Sequence, residues 1–241
     1  MASLTFQRPS LALSLLAFLA LCVLISLGTW QVYRLQWKTA LIERREAQIA
    51  AAPAPFTFQP GDDPATFDFR RVALAAKPVS DAMLFAGIAK IDGQVGHQAV
   101  QAVRLDDGRN VLVDRGLVPE AAMDKSAQLS PLPDEMAIFE GVLRDRSFGQ
   151  AGWFTPPPDL ERGVFYAYDL PAMAQALGLD SVLPLVLELD ASFSGEPYPV
   201  AGLTRVDLPN SHLQYAITWY GLAAGLIGVF VAMTLKRRSE A

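Results

Sequence analysis

The sequence predicts an α+β membrane protein: two transmembrane helices flanking a mainly antiparallel β outer domain, built as a small barrel or a sandwich. Three observations carry this reading. Two long apolar runs, 11–28 and 215–235, stand near the ends of a 241-residue chain that is 51% hydrophobic, with a mean hydropathy of +0.24. The stretch between them has ordinary composition, with short apolar segments separated by turn signals. A basic cluster, Lys236-Arg237-Arg238, follows the second run directly.

Each run is long enough to cross roughly 30 Å of hydrocarbon at about 1.5 Å per residue. The first carries Arg8 ahead of it, but no small-x-small cleavage signal follows before Trp30 and Gln31, so it reads as a retained anchor. Leu19-Ala20-Leu21-Cys22 is a poor lipobox, because Leu21 is too large beside the cysteine and apolar sequence continues past it. The basic cluster argues for a cytoplasmic C-terminus, which puts the N-terminus inside as well and the domain in the periplasm. Arg34, Lys38, Arg44 and Arg45 argue weakly the other way; a long domain translocates largely regardless of such charges. The expected organisation is an N-terminal tail over 1–10, a first span over 11–30 and its helical extension over 31–52. A periplasmic β-rich domain over 53–209, a second span over 210–235 and a basic tail over 236–241 complete it.

Charge and cysteine content exclude some classes. A net charge of −5 supplies no basic surface for nucleic acid. One cysteine, inside the first apolar run, leaves the outer domain without disulfides, so its stability comes from a core.

Beyond the first span, Trp30, Arg34, Trp37, Lys38 and Leu41 keep helical spacing along one face. Trp30 suits the interface, and Arg34 and Lys38 reach either headgroups or an anionic ligand; plain anchoring is the simpler reading. The helix ends before Pro53, and Pro53, Pro55, Pro60 and Pro64 with Gly61-Asp62-Asp63 make an irregular connection. From Phe69 the pattern turns to strands. Val103–Leu105 and Asn110–Val113 flank an Asp107-Gly108 turn as a hairpin, and 136–143 and Leu185–Leu189 are further strands. Asp169 caps a short helix with Pro171 in its first turn, running to about Gly178.

Pro209 sets the start of the second helix. Ser211-x-x-Gln214 fits a capping box, and Asn210 is an equally good cap. Either places His212, one of two histidines, in or beside the first turn. At 100° per residue, Trp219, Ala223 and Phe230 line up under it with Tyr215 and Ala216 flanking, while Gly221, Gly225 and Gly228 fall opposite and suit a close neighbouring helix. A histidine with aromatics and a small gap offers a site for a large flat ligand. A haem iron takes a neutral imidazole, which the positive end of a helix dipole favours. Spacing alone leaves the plainer alternative standing, an interfacial hydrogen-bonding histidine with belt aromatics. His97, in Gly96-His97-Gln98-Ala99, has no second metal-ligating histidine or cysteine near it, and no nucleophile elbow, phosphate loop or carboxylate pair marks an enzyme.

The chain resembles the surfeit-locus protein one family of cytochrome c oxidase assembly factors. The resemblance runs through Gly28-Thr29-Trp30-Gln31 with Arg34-Leu35-Gln36-Trp37-Lys38, then Asp107-Gly108, Val111 to Gly116 and Val118-Pro119. It continues through Gly141-Val142-Leu143-Arg144 and Trp153-Phe154-Thr155-Pro156-Pro157 to Asn210 through Tyr220. Leu117 stands where the family usually has tryptophan, and Arg71-Val72-Ala73-Leu74 lacks a proline and glycine common nearby. The resemblance is to a bacterial member, and implies a non-enzymatic carrier in the inner membrane that receives haem a and delivers it to a haem-copper (aa3-type) oxidase. His212 matches the family's proposed haem a ligand; Tyr215 and Trp219 would pack on the porphyrin, and Arg34 or Lys38 would pair with propionates. Haem a synthase and oxidase subunit I are the implied partners. The rival reading is a scaffold for oxidase subunits that carries no haem.

Overall fold

The computed structural model describes residues 4–6, 9–91, 94–123, 129–146, 152–204, 206 and 208–237. The chain divides into two compact units, Met1–Arg44 with Val206–Ala241, and Arg45–Arg205.

The first unit holds two helices long and apolar enough to cross a membrane. Helix α1 spans Leu11–Ala50 without a break, because no proline interrupts it before Pro53. Ser10 supports its start, its hydroxyl accepting from the Leu13 N–H at 3.3 Å. Helix α4 spans His212–Thr234. The capping box expected at its start is not formed: Ser211 is the N-cap residue but makes no side-chain cap bond. The approach is held from outside the helix instead. Lys38 donates to the Pro209 carbonyl, and Asn210 Nδ2 donates to Thr39 Oγ1 at 3.4 Å. A short antiparallel pairing joins β1 (Leu4–Phe6) to β9 (Leu235–Arg237), bringing the two ends of the chain together.

The glycine side of α4 is not where α1 lies. Ala216, Ala223 and Thr234 are its buried residues, and Tyr220, on the side of Ala216, rests against Gly28 of α1. A Cβ at Gly28 would stand 3.0 Å from the Tyr220 ring. By contrast, nothing lies within 4 Å of the Cβ positions of Gly221, Gly225 and Gly228. The small residue that makes room at this contact is a glycine on α1, Gly28, and not one of the glycines of α4.

The second unit is a mixed seven-stranded sheet with short helices. Its strands are β2 (Ala54–Pro55), β3 (Arg71–Ile91), β4 (Gln94–Leu105), β5 (Asn110–Pro119), β6 (Ala137–Asp145), β7 (Val164–Phe165) and β8 (Leu185–Leu189). The order is β2-β3-β4-β5-β8-β6, with β7 added beside β3 and β6 also pairing the first part of β3. The long ladders, β3–β4, β3–β6, β4–β5 and β6–β8, are antiparallel as expected. The expectation of a barrel or sandwich is corrected to a mixed sheet, in which the short pairings β2–β3, β3–β7 and β5–β8 are parallel. The physical reason is the chain between β5 and β8. It passes through β6, β7 and helix α3 (Leu170–Ala176), a crossover long enough to bring β8 back in the direction of β5.

The predicted hairpin forms as read, with Val103 opposite Val111 and Arg104 opposite Asn110 across a turn whose Gly108 has φ 88°. Asp169 caps α3, accepting from the Ala172 N–H at 3.1 Å. Strand β8 is buried throughout: Leu185, Leu187 and Leu189 join Val111, Val113, Phe139 and Leu143 in one core cluster. Val186 packs with Leu112, Phe165 and Met173 of α3 in another. Both faces of β8 are thus covered by core, while β5 and β6 pair its two edges.

Gly141 sits where β6 crosses β8, and a Cβ there would lie 2.1 Å from the Glu188 carbonyl oxygen. Gly141→Ala is therefore expected to destabilise the sheet by about 1–3 kcal/mol. Gly221→Ala, on the open side of α4, should cost nothing and add helix propensity. Thermal unfolding of the full chain in detergent, followed by circular dichroism, separates the two.

Candidate functional site

His212 is the first residue of α4 and is half-buried. Its Nδ1 lies 2.8 Å from Oε1 of Gln31, a residue of α1 that is only 9% exposed. An amide oxygen accepts, so Nδ1 carries the proton in this pair. Among the described residues Nε2 has no hydrogen-bond partner. The ring is held by one nitrogen and presents the other.

The remaining predicted site residues lie on the same two helices. Trp219 is half-buried and Tyr215 is 52% exposed; at 100° per residue they stand 20° and 60° to one side of His212. Ala216 and Ala223, read as a gap for a ligand, are buried in the first unit at 3% and 5% exposure. The room beside His212 therefore lies on the Tyr215–Trp219 side. Lys38 is occupied by the Pro209 carbonyl. Arg34 is exposed, with its guanidinium 4.1 Å from the Trp37 ring centroid. Gln31 was not singled out as a site residue by sequence reasoning. Its one signal was an uncharged polar side chain on the Gly28–Leu35 face of an apolar helix, and spacing within α1 cannot name a partner on α4.

Farther down the pair, Thr29 Oγ1 and Tyr220 Oη are 3.0 Å apart. The contacts run in antiparallel order, Gly28 and Thr29 with Tyr220, Gln31 with His212, and Lys38 and Thr39 with 209–210.

The second unit contains a polar cavity of about 200 Å³ lined by Asp114, Arg144, Arg146, Glu188 and Thr204, among others. Arg144 and Arg146 both pair with Glu188, and Arg144 also holds Asp68 at 3.0 Å. Buried Asp114 accepts from the Tyr168 hydroxyl at 2.8 Å and from the Gly116 N–H at 2.9 Å. His97 is buried with Nδ1 on the Gly87 carbonyl. Among the described residues no group of three His, Cys, Asp or Glu side chains could hold a metal ion.

Comparison with known proteins decides the family. The SURF1 family model matches residues 18–224, which include Gln31, Asp114 and His212. The chain belongs to the SURF1 family. Surfeit locus protein 1 of Takifugu rubripes is 31% identical over 228 residues, covering 88% of this chain and 92% of the relative. Its namesake in Homo sapiens is 31% identical over 216 residues, covering 82% and 69%. That of Xenopus tropicalis is 30% identical over 215 residues, covering 83% and 68%.

In this SURF1-family chain the cavity of the second unit carries an unusual carboxyl. Burial pushes Asp114 up to about 7, and the nearby Glu188 charge adds to the shift; the bonds from Tyr168 and Gly116 oppose it without prevailing. Burial likewise drives the Tyr168 hydroxyl well up. The folded carboxyl thus binds a proton more tightly than the unfolded one, whose ordinary value is 3.8. Its contribution to stability is complete below that value and declines as pH rises to about 7. The slope is at most about 1.4 kcal/mol per pH unit. The stability difference between wild type and Asp114→Asn should therefore fall steadily from pH 4 to pH 7 and level off above. Denaturation of both full-length proteins across that range measures it, and a pH-independent difference would contradict the assignment.

Proposed function

We propose that this SURF1-family protein is a haem a carrier for assembly of a haem-copper cytochrome c oxidase, and that His212 is its iron ligand. The observation that carries the reading is the His212–Gln31 pair. It holds an imidazole at the first turn of an apolar helix with Nε2 left for a ligand. The donor set suits the group: one imidazole nitrogen without a partner among the described residues, a half-buried Trp219, an exposed Tyr215 and an exposed Arg34 on α1, while Lys38 would have to leave the Pro209 carbonyl to meet a propionate. Haem a would supply the redox-active iron porphyrin that the oxidase uses. The protein's own part is to bind, shield and release it, which a single protein ligand serves better than two.

The two apolar helices support a protein of the bacterial inner membrane. The β1–β9 pairing is consistent with both ends on one side, and Lys236-Arg237-Arg238 makes that side cytoplasmic. The β-rich unit then lies in the periplasm, where it would meet oxidase subunit I, with haem a synthase as the donor. This is a binding and delivery role without catalysis. The scaffold alternative has support of its own in Trp153 and Phe154, 97% and 95% exposed on a turn, which offer an apolar contact for a subunit.

The absorption spectrum of detergent-purified protein, co-expressed with the haem a synthesis enzymes, tests the carrier. Bound haem a is expected in the wild type, and its loss or a shifted spectrum in His212→Ala at equal expression. Haem in neither, with His212→Ala still assembling active oxidase, would leave the scaffold. Arg34→Ala should weaken haem binding by roughly two- to fivefold, the scale of an exposed ion pair; an unchanged affinity would remove Arg34 from the site.

A further inference from the structure

Among the described residues, the side chain-to-side chain bonds between α1 and the α4 end of the chain involve no Lys, Arg, Asp or Glu; the Lys38 ammonium meets a backbone carbonyl, that of Pro209. Thr29 meets Tyr220, Gln31 meets His212, and Asn210 meets Thr39. Gln31 is the most buried polar side chain on α1, and its amide oxygen is directed at one atom, Nδ1 of His212. A free imidazole in water favours the proton on Nε2. A hydrogen bond accepted from Nδ1–H reverses that preference and places the lone pair on Nε2. Ligand histidines in metal sites are held in this way by an outer partner, which fixes both tautomer and ring orientation.

We propose that Gln31 is the positioning residue of the haem site: it selects the Nδ1–H tautomer of His212 and so makes Nε2 the iron-binding atom. The assignment rests on the carrier reading for its ligand, while the tautomer itself belongs to the protein alone. The identity of the partner matters as much as its place. A carboxylate at this position would draw the Nδ1 proton, make the imidazole a stronger donor and tighten its hold on ferric iron. An amide orients the ring without adding charge. Gln31 thus gives an aligned ligand of ordinary donor strength, matched to a cargo that must be passed on.

The sequence has only two histidines, which makes the test direct. Full-length protein labelled with ¹⁵N-histidine, purified without haem, gives the tautomer of each ring from long-range ¹H–¹⁵N correlations. His212→Ala identifies the His212 signals by their loss. The wild type is expected to show His212 with the proton on Nδ1, and Gln31→Leu to lose that preference. Titration with haem a in the same detergent should show an affinity roughly 10- to 100-fold lower for Gln31→Leu. Gln31→Glu should keep the proton between the two groups, bind haem a more tightly than wild type and shift the bound iron to a more negative midpoint potential. A wild-type His212 protonated on Nε2 would overturn the proposal. So would a Gln31→Leu protein with unchanged tautomer and affinity, or a Gln31→Glu protein with unchanged potential. If the wild type takes up no haem a, the carrier reading fails, and the tautomer spectra still decide whether Gln31 sets the ring.

Discussion

The close approach of α1 and α4 at Gly28 is the constraint on which the first unit depends. Two apolar helices in hydrocarbon gain little from burying leucine against leucine, so their register comes from shape and from polar groups with nowhere else to go. Gly28 supplies the shape, since the Tyr220 ring stands 3.0 Å from where a side chain would begin. That seating brings the Tyr220 hydroxyl to Thr29, and the same antiparallel run brings His212 to Gln31. A side chain at position 28 would press the helices apart and stretch each of these bonds. The histidine is held by a contact that another residue, lower on the helix, makes possible.

The two units solve the problem of buried polarity differently. In the sheet unit several charges are kept in opposite-signed groups, Arg144 and Arg146 on Glu188, Arg144 on Asp68, Arg71 on Asp190, while buried Arg115 donates to Gln101 and the Ser130 carbonyl. At Asp114 burial and the Glu188 charge outweigh the opposing pull of Arg146 and of the bonds from Tyr168 and Gly116, and the carboxyl holds a proton to near neutral pH. In the helix pair the cations are on the flank, Arg34 over Trp37 and Lys38 on the Pro209 carbonyl, and the side-chain bonds of the seam are neutral. The sheet unit can use ion pairs because each charge in them meets its opposite at hydrogen-bond distance. A span in hydrocarbon cannot, because a charge there is expensive even when paired.

Local chemistry was legible in the sequence; long-range pairing was not. Asp107-Gly108 announced its hairpin, Asp169-x-Pro171 its capped helix, and Leu185–Leu189 its strand, because each signal is complete within a few residues. The direction of β8 could not be read, since alternation of side chains reports the face of a strand and says nothing of its polarity. The 21-residue β3 was hidden for another reason: Pro78 and Gly87 interrupt it, and register shifts after Pro78 and Ala86 absorb them. Ser211-x-x-Gln214 looked like a capping box, yet Ser211 makes no side-chain cap bond, and Lys38 and Thr39 of α1 hold Pro209 and Asn210 at that end. At the site, His212 stood out as a rare residue in a telling place, while its partner Gln31 required a second helix to be seen.

That division bears on how such a site works. A lone histidine at a helix start is ambiguous, because the ring can turn and either nitrogen can face the ligand. Contact with Gln31 removes the ambiguity from a position 181 residues away. The alternative of a carboxylate partner would orient the ring equally well, but at the cost of a charge in the seam and of a ligand bonded too firmly to give up. Were His212 to hold haem a as proposed, the Gln31–His212 pair would meet three demands at once: no added charge between the two membrane-length helices, a single defined ligand atom, and a bond weak enough to be exchanged.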